Sequence, residues 1–367
     1  MRALVCDGPE RVALREAATP EPGPGEVLVR VGVALTCATD FKLVRRGHAK
    51  IPFPLTLGHE FAGAVEKAGA GAMFSPGDRV TSAVSAPCGA CVDCRAEREN
   101  LCATAFERPL FGAFADFLLV PERIVKNGLR RIPPGLPDEA AALLDPLASV
   151  VHALGRVKAP DGEDVLVVGT GPIAAMLFFL LRGKERTAGP TRRIVVAGRR
   201  EEKLRFFLER GASVARIEPS SRVEGAGSPT PLFTFKENPP LPERVENKYG
   251  EGARISRFSL VIDTTGDPGV ISALPALAAN GGTVLLFAGM AEGARVSAEA
   301  FAVHYREVSI VGSFHYTPRD ADAALALLAS GAIPVPSLVE ARRPLAEWRD
   351  AFDLAQSGRA MKVALVP

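Results

Sequence analysis

The sequence predicts an α/β chain of two domains: a strand-rich, barrel-like region and a doubly wound parallel sheet with helices on both faces. Three observations predict it. The chain has 367 residues, more than one hydrophobic core ordinarily serves. Its first half consists of short apolar runs cut by glycine and proline. Its second half alternates apolar runs with helix-like stretches, and one run leads straight into a glycine turn.

The elements follow in order. Ala3–Cys6 is the first strand-like run, and Cys6 within it reads as a small core residue. The turn Pro22-Gly-Pro-Gly25 introduces the strand Val27–Val33, and Phe61–Val65 and Arg79–Val84 are further strands. A helix starts near Pro137-Asp138-Glu139 and is expected to run toward Leu154. Then come strand Asp164–Val168, helix Pro172–Leu181, strand Ile194–Ala197, helix Glu201–Arg210, and strands Leu260–Asp263 and Thr283–Phe287. Apolar strands alternating with helices imply a parallel sheet covered on both faces. The proline-rich stretch 219–242 breaks the pattern and reads as a surface insertion, with a lid or partner-binding loop as the sharper alternative.

Composition excludes some classes of partner. The net charge is only +2, so neither nucleic acid nor an anionic membrane is expected as partner. Met1–Glu10 carries charges at Arg2, Asp7 and Glu10 and lacks the apolar core of a secretory signal. Pro172–Leu181 is too short to span a bilayer. The expected location is the cytoplasm, where thiols stay reduced, so the six cysteines need a reading other than disulfides.

Four of them cluster. Cys88-Gly-Ala-Cys91-Val-Asp-Cys94, followed by Cys102, can surround one zinc ion tetrahedrally with every position filled. A filled site has no room for substrate, so this zinc is structural. The rival readings are an iron–sulfur cluster and four unrelated loop cysteines.

Val165–Val168, Gly169-Thr170-Gly171-Pro172-Ile173-Ala174 reads as strand, tight turn and helix start, the pattern of a dinucleotide site. Gly169 permits the turn, Gly171 lets a pyrophosphate approach, and Ala174 is small enough for helix–strand packing. The helix start offers free N–H groups to phosphate. At the end of the next strand stand Gly198, Arg199 and Arg200, with no acid until Glu201. An acid there would suit the ribose of NAD; two guanidinium groups suit a 2'-phosphate and favour NADP over NAD. The alternative is an arginine pair on a solvated helix start.

A third group is weak piece by piece: Cys37-Ala-Thr39-Asp40, Gly58-His59-Glu60 and Asp145-Pro146-Leu147. In this order, with the four-cysteine lobe, Gly112–Pro121, the glycine turn and the ending Lys362–Pro367, they resemble the zinc-containing branch of the medium-chain dehydrogenase/reductase superfamily over almost the whole chain. The resemblance implies a catalytic zinc on Cys37, His59 and a third ligand, Asp145. It also implies that Glu60 can bind the metal or exchange with water. Many polyol-type relatives have glutamate where this chain has Asp145, and the shorter arm makes Glu60 the rival ligand. Either set leaves one position open, as catalysis needs. Zinc there lowers the cost of losing a hydroxyl proton, after which a hydride passes from the carbinol carbon to nicotinamide. By resemblance Thr39 starts the proton relay, and Lys42 stands where some relatives have a relay histidine; the alternative for Lys42 is a solvent-facing lysine.

The resemblance names the two domains. A GroES-like β-barrel catalytic domain covers 1–150 and 300–367, with the structural zinc lobe at 85–105, and a Rossmann domain of 151–299 is inserted between them. The expected activity is zinc-dependent hydride transfer between a nicotinamide cofactor and a small-molecule alcohol, polyol or carbonyl, in a homodimer or homotetramer with two zinc ions per chain. NADPH-driven carbonyl reduction in a biosynthetic pathway uses the same residues. A non-catalytic nucleotide-binding zinc protein is the alternative from another class.

Overall fold

The apolar run that begins at Val27 forms a nine-residue strand, Val27–Leu35, buried along most of its length. It organises the first of two units in a computed structural model that describes residues 1–47, 51–158, 162–183, 193–219, 233–238 and 257–367. One unit comprises Met1–Val151 and His315–Pro367; the other is His152–Phe314.

In the first unit Val27–Leu35 pairs antiparallel with Glu60–Ala68, with Phe117–Val120 and with the last strand, Lys362–Val366. The sheet runs Val339–Pro344, Lys362–Val366, Val27–Leu35, Glu60–Ala68, Arg79–Ser82, Leu129–Arg131. A smaller sheet joins Arg11–Glu16, Arg2–Gly8 and Leu55–Thr56. Leu4, Val29, Phe61, Phe114 and Leu365 fill the core between them, and Cys6 lies fully buried there, its thiol donating to Gly8 O at 3.2 Å. The last strand and Glu60–Ala68 flank the same end of Val27–Leu35 from opposite sides, and Lys362 reaches Glu60.

The second unit is built on Val165–Val168, buried at all four positions. A strand covered on both faces has no polar side to present, hence no alternation in its sequence. The sheet order is Phe233–Asn238, Ser213–Pro219, Ile194–Gly198, Val165–Val168, Phe258–Asp263, Ala278–Leu286, Ser309–Gly312. Six of these strands are parallel and Phe233–Asn238 is antiparallel at one edge. From Val165–Val168 the chain winds outward on one side, then returns to its other side at Phe258–Asp263. The strand order thus reverses at Val165–Val168, the kind of switch point at which doubly wound sheets bind ligands.

The structure departs from the sequence reading in three places. The helix expected from Pro137 to Leu154 is two, Asp138–Ala141 and Leu144–Gly155. Pro146 explains the break: it has no N–H, and its ring clashes with the carbonyl four residues back, so it is tolerated only in a helix's first turn. Ala300–Tyr305 and Ser309–Gly312, expected in the first domain because they follow residue 299, lie in the second unit, where Ser309–Gly312 is the last parallel strand. Within the 219–242 stretch, Phe233–Asn238 is a strand paired with Ser213–Pro219; 220–232 and 239–242 lie outside the described residues. Among the described residues no helix is long and apolar enough to cross a membrane.

Candidate active site

Cys37 ends the loop after Val27–Leu35 and caps the helix Ala38–Arg46. His59 and Glu60 stand at the start of the neighbouring strand, Glu60–Ala68. Pairing of Leu35 with Glu60 brings the two loops together. Asp40, fully buried, ties them: Cys37 N–H donates to its Oδ2 at 3.1 Å and Gly58 N–H to its Oδ1 at 3.2 Å. His59 Nδ1 lies 3.5 Å from Asp40 Oδ1, too long for a well-formed hydrogen bond. The role of Asp40 does not stand out in the sequence; an acid three residues after the helix cap Cys37 is the local signal for it.

Ligand atoms of Cys37, His59 and Glu60 all lie within 4.8 Å of one another. His59 and Glu60 are buried, and His59 Nδ1 and Glu60 Oε1 have no hydrogen-bond partner. An orphaned buried polar atom costs about 1–3 kcal/mol, more when it carries charge. Lys362, buried in the last strand, donates to Glu60 Oε2 at 2.5 Å and to Thr36 O at 3.2 Å. Nothing local in the sequence marks a lysine whose partner is 302 residues away.

The electrostatics follow from burial against close charges. Burial opposes a proton on His59, yet Asp40 and Cys37 outweigh it and hold the pKa well above the ordinary value. Burial pushes the Glu60 carboxyl up, against the pull of Lys362 and His59, and Asp145 adds to the push. Burial disfavours the Lys362 ammonium too, but Glu60 and Cys37 keep its pKa above the ordinary value. Three anionic or electron-pair donors converging on one point are a site for a cation.

Asp145 is not among the groups brought together. Its Oδ1 accepts the Tyr316 hydroxyl and, at 3.1 Å, the Val84 N–H. Burial and the adjacent Asp145 hold the Tyr316 phenol well above its ordinary pKa, so it stays a donor. Among the described residues, the carboxylate grouped within 4.8 Å of the ligand atoms of Cys37 and His59 is that of Glu60. Thr39 and Lys42 lie on Ala38–Arg46, three residues apart and both exposed. His315 accepts or donates to Ser85 Oγ through Nε2 at 2.7 Å and packs edge-on to Phe106.

The four remaining thiols of the cluster, Cys88, Cys91, Cys94 and Cys102, also lie within 4.8 Å of one another. The backbone N–H groups of Ala90 and Cys91 point at Cys88 Sγ from 3.4 and 3.3 Å and draw its pKa down to about 6. Burial and the neighbouring thiols push Cys94 up to about 12. Arg123 reaches Cys102 Sγ at 3.7 Å and Thr104 Oγ1 at 2.8 Å, fastening the lobe to the helix Glu122–Asn127.

In the second unit Gly169 has φ +119°, and a Cβ there would stand 2.0 Å from Thr264 Oγ1. At Gly171 a Cβ would meet nothing within 4 Å. The first glycine is therefore demanded by the protein itself, while the second leaves open space at the start of the helix Pro172–Gly183. Thr170, Pro172 and Ile173 are half-buried around that opening and Ala174 is fully buried against the sheet. Gly198 ends the adjacent strand, and Arg199 and Arg200 follow it on the surface.

Residues 23–129 match the alcohol dehydrogenase GroES-like domain. The chain is 31% identical over 361 residues to a D-altritol 5-dehydrogenase of Agrobacterium fabrum, covering 96% of each. It is 26% identical to a sorbitol dehydrogenase of Halalkalibacterium halodurans, covering 100% of this chain and 99% of that one. Among solved structures, a zinc-binding dehydrogenase of Sinorhizobium meliloti 1021 bound to NADP superposes with a TM-score of 0.78 at 29% identity, covering 100% of this chain and 99% of that one. An alcohol dehydrogenase of Thermus sp. ATN1 gives 0.79 at 28% identity, with both chains covered completely.

Proposed function

Because this chain belongs to the medium-chain dehydrogenase/reductase superfamily, we propose that Cys37, His59 and Glu60 hold the zinc ion at which it works. The chain is a zinc-dependent oxidoreductase acting on an alcohol or polyol, or on the corresponding carbonyl in the reverse direction. The observation that carries the zinc assignment is that ligand atoms of Cys37, His59 and Glu60 lie within 4.8 Å of one another, with Glu60 Oε1 buried and unpartnered. A thiol, an imidazole and a carboxylate are a donor set zinc accepts, and three protein ligands leave one position for substrate.

When bound, zinc supplies Lewis-acid chemistry, lowering the cost of removing the hydroxyl proton. The chain's own residues do the rest. Asp40 holds the Cys37 and His59 loops at fixed separation through its two oxygens. With Nδ1 on the Asp40 side, the imidazole keeps Nε2 for the metal. Lys362 fixes Oε2 of Glu60 and so aims Oε1. Phe111, edge-on to His59 at 5.2 Å between centroids, gives the site an apolar wall. Thr39 and Lys42 share one face of the same helix, which suits a relay that carries the proton to water.

Cys88, Cys91, Cys94 and Cys102 form the second, structural zinc site, which has no position left for substrate. Gly169–Ala174 receives the pyrophosphate of the cofactor, and Arg199 and Arg200 favour NADP over NAD. The reduced thiols of the lobe suit the cytoplasm. The outermost parallel strand, with Ile310 exposed, and the exposed Phe301 and Tyr305 support a homodimer or homotetramer. The test is a panel of alcohols and polyols offered with each cofactor, before and after a zinc chelator. Oxidation that stops with the chelator and returns with added zinc supports the reading; oxidation indifferent to zinc overturns it.

A further inference from the structure

The sheet of the second unit reverses its order between Val165–Val168 and Phe258–Asp263. Asp263 pairs with Val168, so the glycine turn and the segment Thr264–Gly266 start from neighbouring strand ends. Thr264 ties the two together: its N–H and its hydroxyl both donate to Val168 O at 2.8 Å. Asp263 is fully buried and holds the rest of the loop with both oxygens. Its Oδ1 accepts the Thr265 N–H at 3.0 Å and the Thr265 hydroxyl at 2.6 Å, and its Oδ2 accepts the Gly266 N–H at 3.0 Å. The Thr265 hydroxyl oxygen accepts in turn from the Asp267 N–H at 3.1 Å, and Asp267 caps the helix Pro268–Leu277. On the other side Gly266 has φ +66°, and a Cβ there would stand 2.8 Å from Gly289 O, in the loop after Ala278–Leu286. One buried carboxylate thus fixes a stretch of backbone set among the ends of three neighbouring strands.

Burying a carboxylate is costly unless donors satisfy it. Here all three donors belong to the loop that follows, and the loop needs both oxygens. An asparagine would offer one acceptor and set its NH2 group against the remaining N–H. The anchor is buried, whereas Thr264 and Gly266 are half-buried and Thr265 is exposed. A dinucleotide lies across such a switch point with one mononucleotide on each half of the sheet. Gly198, Arg199 and Arg200 serve the adenosine half, so the nicotinamide half falls on the Phe258–Asp263 side of the glycine turn. We propose that Asp263 is a positioning residue for the cofactor, its carboxylate holding Thr264–Gly266 in place as the rest for the nicotinamide mononucleotide half. The proposal rests on the reading of Gly169–Ala174 as the pyrophosphate site. Asp263 itself lies out of reach of a ligand and acts through the loop it holds.

The experiment is calorimetric titration of the full-length, zinc-loaded protein with two probes. One is the reduced cofactor that wild type binds more tightly, NADPH or NADH. The other is its adenosine half alone, 2',5'-ADP or AMP. Asp263→Asn should bind the whole cofactor about tenfold more weakly, the worth of one lost hydrogen bond to a charged group. It should bind the adenosine half as wild type does, because Gly198, Arg199 and Arg200 are untouched. That split is the signature of positioning. An acid that merely supports the fold would weaken both probes alike, and equal weakening overturns the proposal. So does an Asp263→Asn protein that binds the whole cofactor as tightly as wild type. If Asp263→Asn does not fold, Thr265→Val decides, since it changes an exposed residue and removes the hydroxyl while keeping both backbone donors. Weaker binding of the whole cofactor with the adenosine half unaffected supports the proposal, and unchanged binding of the whole cofactor overturns it. A wild-type protein that binds neither probe would overturn the pyrophosphate site itself, and the proposal with it.

Discussion

At the scale of single residues, the metal group and the cofactor arginines make separable demands. His59→Ala removes a proposed metal donor, a buried side chain at the start of the strand Glu60–Ala68. It should cut turnover by roughly 1000-fold or more, equivalent to about 4 kcal/mol of transition-state stabilisation, while circular dichroism stays that of wild type. Arg199 and Arg200 are proposed to act on the other half of the reaction, at the cofactor. Hydrogen bonds to charged groups contribute ~1.5–3 kcal/mol, and exposure and salt reduce this to the low end. Arg199→Ala with Arg200→Ala should therefore shift the NADP-to-NAD ratio of kcat/KM by about tenfold, with high salt producing the same erosion in wild type. An unchanged ratio would make the pair surface decoration. A carboxylate at Gly198 is a poorer probe than its charge suggests, because a Cβ there meets Thr170 Cγ2 at 2.4 Å and disturbs the glycine turn. The grouping of the four clustered cysteines was legible from their spacing, and that of Cys37 with His59 only from the order of motifs in the family they resemble. Asp40, Tyr316 and Lys362 were not, because their partners are set by tertiary pairing and no sequence interval records it.

At the scale of elements, the glycine turn gives a contrast that separates folding from binding. Gly169→Ala places a methyl against Thr264 in a backbone conformation that L residues rarely adopt, so it should destabilise the second unit by ~1–3 kcal/mol. Gly171→Ala meets open space and should leave the melting temperature unchanged. It should nonetheless weaken cofactor binding at least ~10-fold, because its methyl occupies the approach of the pyrophosphate. Melting curves and cofactor titration by nicotinamide fluorescence check both; equal affinity in Gly171→Ala would move the phosphate elsewhere. The buried strands Val165–Val168 and Ile194–Gly198 were legible as apolar runs. Ser309–Gly312 was not, since three of its four residues are exposed at the sheet edge and a run that short resembles a loop. The helix Pro268–Leu277 was missed although Asp267, which accepts the Gly269 and Val270 N–H groups, and Pro268 form a clear start signal.

At the scale of the whole molecule, the first unit is assembled from both ends of the chain, and its metal group depends on the last strand. Lys362 and Glu60 are a fully buried ion pair, and removing one partner leaves an uncompensated charge that costs about 3–5 kcal/mol. Lys362→Met should therefore lower stability by that amount in denaturant titration and loosen the catalytic metal. A variant as stable as wild type would mean that the pair contributes nothing to the fold. The two-domain plan was legible from length and the change of pattern, whereas the switch at Phe314 was not, because a parallel strand at a sheet edge carries no sign of which domain owns it. One chain is proposed to hold two zinc ions in two differently built sites. The most direct measurement is elemental analysis of carefully purified protein. Wild type should contain about two zinc ions per chain, and a folded Cys37→Ala variant about one. A wild-type protein with one zinc or none, or a Cys37→Ala variant that still holds two, would contradict the account.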